Sequence, residues 1–252
     1  MPVGTESDLT AGTDEKAVNL LLLEDALISA RIPEKMAERI RTAAAADGAF
    51  FSRFEAVQKG DPFLCMLVDK NHSLPEGYAP DDLIRLTSGR SYRVTRDNLM
   101  LRRAAAEALE QMAAAARAEG VTLTVGSTYR SYGYQVEVYA RIVQEIGQAA
   151  ADRESARPGF SQHQTGLVVD FFPIDDSFAD TKAGAWVKDN AVAYGWSLSF
   201  PDGFEEVTGY RYESWHYRYV GRELASFINT YFDGIQQYAL QFIHAWQTPT
   251  GF

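Results

Sequence analysis

A break at Asp61-Pro62 divides this chain into two textures, and that division constrains the fold more than any other feature. Before it, from Glu15 to about Lys59, apolar residues recur at helical spacing. Leu20–Leu23, Leu27 and Ile28 come first, then Met36, Ile40 and the run Ala43–Ala46, with Pro33 suited to a first helical turn. Two or three helices are expected there. After the break, short β-branched or apolar runs alternate with amphipathic stretches. Phe63–Val68, Val121–Val125, Leu167–Phe171, Trp196–Phe200 and Trp215–Tyr219 read as strands. Helices are expected from Thr95 or Asp97 to about Glu119, over Gly133–Ile146, over Ala183–Tyr194, and from Glu223 to about Phe242, with Gly120 and Gly195 as stops. The pattern predicts an α+β fold: a small, mainly antiparallel sheet flanked by helices, with an N-terminal helical appendage. Residues 1–14 read as a flexible tail, 15–60 as the appendage and 61–252 as the main domain.

Composition removes several function classes. Of 252 residues, 46% are hydrophobic and 23% charged, which is ordinary for a globular protein and excludes general disorder. The net charge of −10 argues against a nucleic-acid partner, because phosphate binding needs clustered Lys and Arg. Cys65 is the single cysteine, so no intramolecular disulfide and no cysteine-based zinc site can form. Its apolar neighbours make it a small buried hydrophobe. No apolar run reaches the length of a membrane span. The first residues have neither a basic segment nor an apolar one, so the protein is cytosolic or has lost a leader.

Two of the four histidines stand in informative company. His163 lies in Ser161-Gln162-His163-Gln164-Thr165-Gly166 and precedes Asp170. Imidazole and carboxylate both suit Zn²⁺, but an extended chain would hold them roughly 23 Å apart at about 3.3 Å per residue. The chain must fold back between them, most readily at Gly166. The alternative is a polar turn entering a core strand. Glu213 and His216 form the second group, suited to a general base and a third ligand for a catalytic zinc that keeps one position open. In a plain strand, residues three apart point to opposite sides, so this pairing requires irregular backbone around Ser214. The alternative is a surface Glu followed by a core histidine. A third element, Ser127 to Gln135, places Arg130 at a strand–helix junction, where it could stabilise charge on a carbonyl oxygen or simply pair with a surface acid.

Together these residues resemble the VanY-type D-alanyl-D-alanine carboxypeptidases, zinc peptidases that trim peptidoglycan stem peptides. The family pattern Tyr-Arg-Ser-x-x-x-Gln is matched from Tyr129-Arg130-Ser131 to Gln135. The pattern Ser-Glu-His-Gln-x-Gly-x-x-x-Asp is matched from Ser161 to Asp170, and Glu-x-Trp-His-Tyr-Arg-Tyr-Val-Gly from Glu213 to Gly221. The likeness covers about residues 63–225 and leaves the N-terminal helices outside.

The resemblance implies that His163, Asp170 and His216 hold one zinc ion per chain, that Glu213 is the catalytic base and that Arg130 contacts the scissile carbonyl. It implies that Gln135, Ser161 and Tyr210 line the substrate's C-terminal end. One departure is visible: Gln162 stands where the family has Glu. The expected activity is removal of a C-terminal D-amino acid from peptidoglycan stem peptides or muropeptides, D,D-type favoured, with an L,D-carboxypeptidase acting on tetrapeptide stems as the alternative. A non-catalytic zinc-containing wall-binding module is a reading of another class, and the presence of Glu213 argues against it. A monomer in the cell envelope, periplasmic or extracytoplasmic and without its leader, is expected. His72 and His244 match nothing functional and read as structural or surface residues.

Overall fold

A computed structural model describes residues 6–46 and 48–249, with side chains from residue 17 on. Three helices open the chain: α1 Glu6–Ser29, α2 Glu34–Ala46 and α3 Ala49–Gln58. Residues 6–14, expected as a loose tail, continue the first helix, and residues 1–5 lie outside the described ones. Pro33 immediately precedes α2, and its carbonyl accepts from the Ala37 N–H at 2.9 Å. Having no N–H of its own, proline loses nothing at such a helix start.

Asp61 and Pro62 begin a 3₁₀ turn, Pro62–Cys65, rather than the expected strand over 63–68. The Asp61 carboxylate accepts from the Phe63 N–H at 2.9 Å. The carbonyls of Leu64 and Met66 go to the Arg218 guanidinium at 3.3 and 2.8 Å, so a side chain takes the bonds a ladder would have made. Cys65 is buried, as its neighbours suggested.

A small hairpin-like pair follows, β1 Leu83–Arg85 with β3 Met100–Arg102, antiparallel, and between them β2 Arg93–Val94. The pairing of residues 100–102 delays the expected helix: α4 runs Arg103–Ala118 instead of starting at Thr95 or Asp97. Gly120 ends it at φ 76°, as anticipated. Then come β4 Thr124–Ser127, α5 Tyr132–Ile146, α6 Gln148–Glu154, β5 Val168–Phe171, α7 Lys182–Asn190, β6 Trp196–Leu198, α8 Glu205–Thr208 and β7 His216–Tyr219. The expected closing helix is two, α9 Arg222–Tyr231 and α10 Gln236–Gln247. Asp233 and Gly234 break it with φ of 52° and 78°, a left-handed pair that no helix continues through.

The main sheet has the order β2-β4-β5-β7-β6, with β2–β4 parallel and every other pair antiparallel. Period-two alternation sorts its side chains. Leu167, Val169 and Phe171, with Tyr217, enter a core with α4, whose Leu109, Met112 and Ala113 are buried. Asp170 and His216 therefore point to the other face. A second core joins α1–α3 to α9 and α10: Phe54 stacks on Phe227 at 5.6 Å and meets Phe242 at 5.5 Å. The N-terminal helices thus share their apolar faces with the end of the chain.

Candidate active site

The site grows from the pairing of β5 with β7, which sets Asp170 directly across from His216. Carboxylate and imidazole meet at 3.1 Å between Oδ1 and Nδ1. The third group arrives from a 3₁₀ turn, Gln162–Thr165, that Ser161 caps by accepting from the His163 N–H at 3.3 Å. Gly166 ends this turn at φ 70° and returns the chain into β5, where a Cβ would meet the Leu83 side chain at 2.9 Å. The fold-back places His163 Nε2 3.1 Å from Asp170 Oδ2. The ligand atoms of His163, Asp170 and His216 all lie within 4.8 Å of one another.

Glu213 reaches the same point through a turn. The His216 N–H donates to the Glu213 carbonyl at 3.1 Å, and Ser214 and Trp215 form the bend between them. This is the irregular backbone that the three-residue spacing required. Glu213 Oε2 comes to 3.2 Å from His216 Nδ1, yet Glu213 stands outside the three-residue ligand set.

The donor set fits a divalent cation. His163 Nδ1 donates to the Thr128 carbonyl at 2.7 Å, which leaves the Nε2 lone pair facing Asp170. His163 Nε2 and Asp170 Oδ1 are buried without a hydrogen bond: the Nε2 lone pair faces Asp170 Oδ2 at 3.1 Å, acceptor against acceptor, and Oδ1 lies 3.1 Å from His216 Nδ1. Two imidazoles and a carboxylate around one point are a donor set that could hold a metal ion, zinc among them. Burial, and then the Arg130 charge, push His163 down to about 4, so the neutral ring has a lone pair to offer. Burial also opposes a charge on His216, but Asp170 and Glu213 outweigh it and hold the metal-free ring above its ordinary value. For Asp170, burial is again the largest influence and again loses, here to the two histidines, so its carboxyl stays well below the usual range.

Arg130 stands beside this cluster, with Nη2 donating to Asp170 Oδ2 at 3.3 Å and Nη1 to Gln135 Oε1 at 3.0 Å. The Gln135 amide nitrogen donates to the Ala156 carbonyl at 2.7 Å and to Ser155 Oγ at 3.2 Å. Gln135 is fully buried and holds Arg130 in place. Its side chain is not part of the cavity wall. Ser161 and Tyr210 do line that cavity, a small recess of about 50 Å³ whose wall also includes Arg130, Glu213, His163 and His216. Phe200 packs over His216 at 4.6 Å between ring centroids and against Tyr210 at 4.7 Å. Gln162 also lines the recess, and its amide oxygen accepts from Ser199 Oγ at 2.8 Å.

Thr128, Phe160, Phe200 and Ser155 belong to the site without having been singled out. Ser155 and Phe160 belong to the stretch 155–170 that carries His163, but neither had been given a role. Phe200 carries no local signal, because only the return of β6 brings it over His216. His72 and His244 stand apart, edge-on at 5.0 Å, and line a separate cavity between α1 and α10.

Residues 98–222 match the sequence profile of the VanY family, D-alanyl-D-alanine carboxypeptidase. YodJ, a protein of Bacillus subtilis (strain 168) named as a carboxypeptidase, is 38% identical over 180 residues, 69% of this chain and 66% of that protein. The chain therefore spans just under two thirds of YodJ, and about half of two enterococcal D-alanyl-D-alanine carboxypeptidases (47% and 50%). Among solved structures, the LdcB LD-carboxypeptidase superposes with a TM-score of 0.63 at 35% identity, covering 69% of this chain and 84% of that one. The D,D-pentapeptidase VanY of a VanB-type resistance cassette, a mutant in complex with Zn(II), gives 0.59 at 30% identity, covering 71% and 98%.

Proposed function

As the chain belongs to the VanY family of D-alanyl-D-alanine carboxypeptidases, we propose that it is a zinc-dependent, D,D-type carboxypeptidase removing the terminal D-alanine from peptidoglycan stem peptides or muropeptides. The observation that carries this reading is Glu213: a buried carboxylate 3.2 Å from one ligand histidine and outside the ligand set. A metal held only for folding needs no such base.

His163, Asp170 and His216 would hold one zinc ion, which when bound supplies Lewis acidity to the scissile carbonyl and lowers the pKa of water toward 7. Glu213 accepts a proton at its carboxylate from the attacking water and returns it to the leaving amine. The Arg130 guanidinium, braced by Gln135, donates to the carbonyl oxygen as charge develops there. The 50 Å³ recess beyond them suits one small residue, and Ser161 and Tyr210 on its wall can donate to a terminal carboxylate. Such substrates lie outside the cytoplasmic membrane, so the protein would act in the cell envelope as a monomer. No helix among the described residues is long and apolar enough to cross a membrane.

The likeness to LdcB favours a second reading, an L,D-carboxypeptidase acting on tetrapeptide stems. Incubation with purified tetra- and pentapeptide stems, each also prepared with an amidated C-terminus, tests both. The D,D reading expects D-alanine released from the free pentapeptide, with kcat/KM on the amidated form lower by about a hundredfold, since several charge-assisted bonds are lost together. Release from the tetrapeptide alone selects the L,D reading. Equal cleavage of free and amidated peptides defeats the exopeptidase assignment.

A further inference from the structure

One side chain clasps the turn that carries Glu213 from both ends. Arg211 Nη1 donates to the Tyr212 carbonyl at 3.2 Å, immediately before Glu213. The same guanidinium lies 5.2 Å from the centre of the Trp215 ring, immediately before His216. Trp215 is buried, so its face is a fixed support for that cation. Arg211 then reaches two other elements. Its Nε donates to Glu154 at the end of α6, and Nη1 donates to Asp176, each at 2.6 Å. Asp176 opens the 3₁₀ turn Asp176–Asp180 that follows β5.

An isolated surface ion pair contributes little, whereas charges tied into a network hold one another in place. The Arg211 side chain is only 28% exposed and that of Glu154 35%. Glu154 also precedes Ser155 and Ala156, whose hydroxyl and carbonyl accept from the Gln135 amide that braces Arg130. The short segment 154–156 therefore fixes the Glu213 turn on one side and Arg130 on the other. A second pair, Arg153 to Glu205 at 2.5 and 2.7 Å, is more exposed and ties α6 to α8 ahead of the turn.

We propose that Arg211 is a positioning residue for the reaction, locking the 212–215 turn to α6 so that the Glu213 carboxylate keeps its place beside His216 and in register with Arg130. The proposal rests on the reading of Glu213 as the base. Among the described residues Arg211 bonds neither the Glu213 carboxylate nor His163, Asp170 or His216, so it acts through the backbone of the turn. A base displaced by an ångström loses rate while the peptide still finds its recess, and the effect therefore belongs to kcat rather than KM.

Steady-state kinetics on whichever stem peptide the wild type cleaves, with zinc content measured for every variant, test this. Arg211→Gln is expected to lower kcat about tenfold, with KM within about twofold of wild type and zinc unchanged. Glu154→Gln, which removes the anchor on α6, is expected to show the same split. The double variant should be no slower than either single one, because both break one link. Arg211→Lys keeps a cation within reach of Glu154 and is expected to recover part of the lost kcat. Wild-type kcat in Arg211→Gln, a loss carried by KM, a loss that follows zinc content, or additive losses in the double variant overturns the proposal. If Arg211→Gln does not fold, Glu154→Gln decides alone, and full kcat there overturns it. Glu213→Gln separates the two readings. If that variant keeps more than about a tenth of wild-type kcat, the base reading falls and the role of Arg211 falls with it. An inactive Glu213→Gln beside a fully active Arg211→Gln overturns the role of Arg211 alone. A wild type that releases no residue from any stem peptide defeats the carboxypeptidase reading and this proposal together.

Discussion

Glu213→Gln keeps the volume and the turn that brings residue 213 over His216, but an amide cannot accept the proton. The variant is expected to hold zinc as the wild type does and to lose about 10²–10⁴-fold in kcat. More than a tenth of wild-type turnover would contradict the base assignment. The ligands predict the opposite pattern. His163→Ala, Asp170→Ala and His216→Ala should each lower zinc content below one per chain, because a three-ligand site loses much of its chelation with one arm gone. Elemental analysis showing full occupancy in all three variants would remove them from the metal site. At this scale the sequence was most informative. His163, Asp170, Glu213 and His216 were each nameable from residue type and spacing, and so was Gly166, where the chain had to turn back. Gln135 was not: its buried amide spends itself on Arg130, Ser155 and Ala156, and only the packing of α5 against the 155–156 segment reveals that.

Among the elements, the glycine that stops the 183–194 helical stretch does more than end it. Gly195 has φ 82°, and a Cβ there would lie 2.8 Å from the Gly221 carbonyl carbon and 2.9 Å from the Arg222 nitrogen. Both are backbone atoms at the start of α9 and cannot step aside as a side-chain tip can. Gly195→Ala is expected to lower stability by about 1–3 kcal/mol, combining the left-handed strain with the clash. A thermal midpoint unchanged from wild type would show that β7 and α9 shift freely, against this packing. Element ends were also where sequence reasoning went astray. The helix expected from residue 95 yielded to a strand pairing with residues 83–85, and the strand expected at 63–68 yielded to carbonyl bonds from Arg218. In both places a partner distant in sequence outweighed local propensity.

For the whole molecule, the aromatic cluster joining α3 to α9 and α10 ties the first quarter of the chain to its last. Phe54→Ala should cost about 3–5 kcal/mol by opening a cavity in that cluster. Removing residues 1–60 uncovers the apolar faces of Phe227, Phe232 and Phe242, and the shortened protein is expected to aggregate or to unfold without a cooperative transition. A fragment 61–252 that stays soluble with the full protein's thermal midpoint would establish the N-terminal helices as a separable appendage.

By itself the sequence determined the α+β class, the helical opening and several glycine stops, and through side-chain chemistry and a family resemblance it singled out the candidate ligands and base. Those follow from local rules: side-chain chemistry, periodicity and the backbone freedom of particular residues. Tertiary structure alone decided that Asp170 faces His216 across two strands, that the Thr128 carbonyl orients His163, and that Phe200 roofs the recess. It also decided that the opening helices share a core with the closing ones. Each of these joins segments far apart in the chain, and the energy that selects them comes from burial and pairing that exist only once those segments have met.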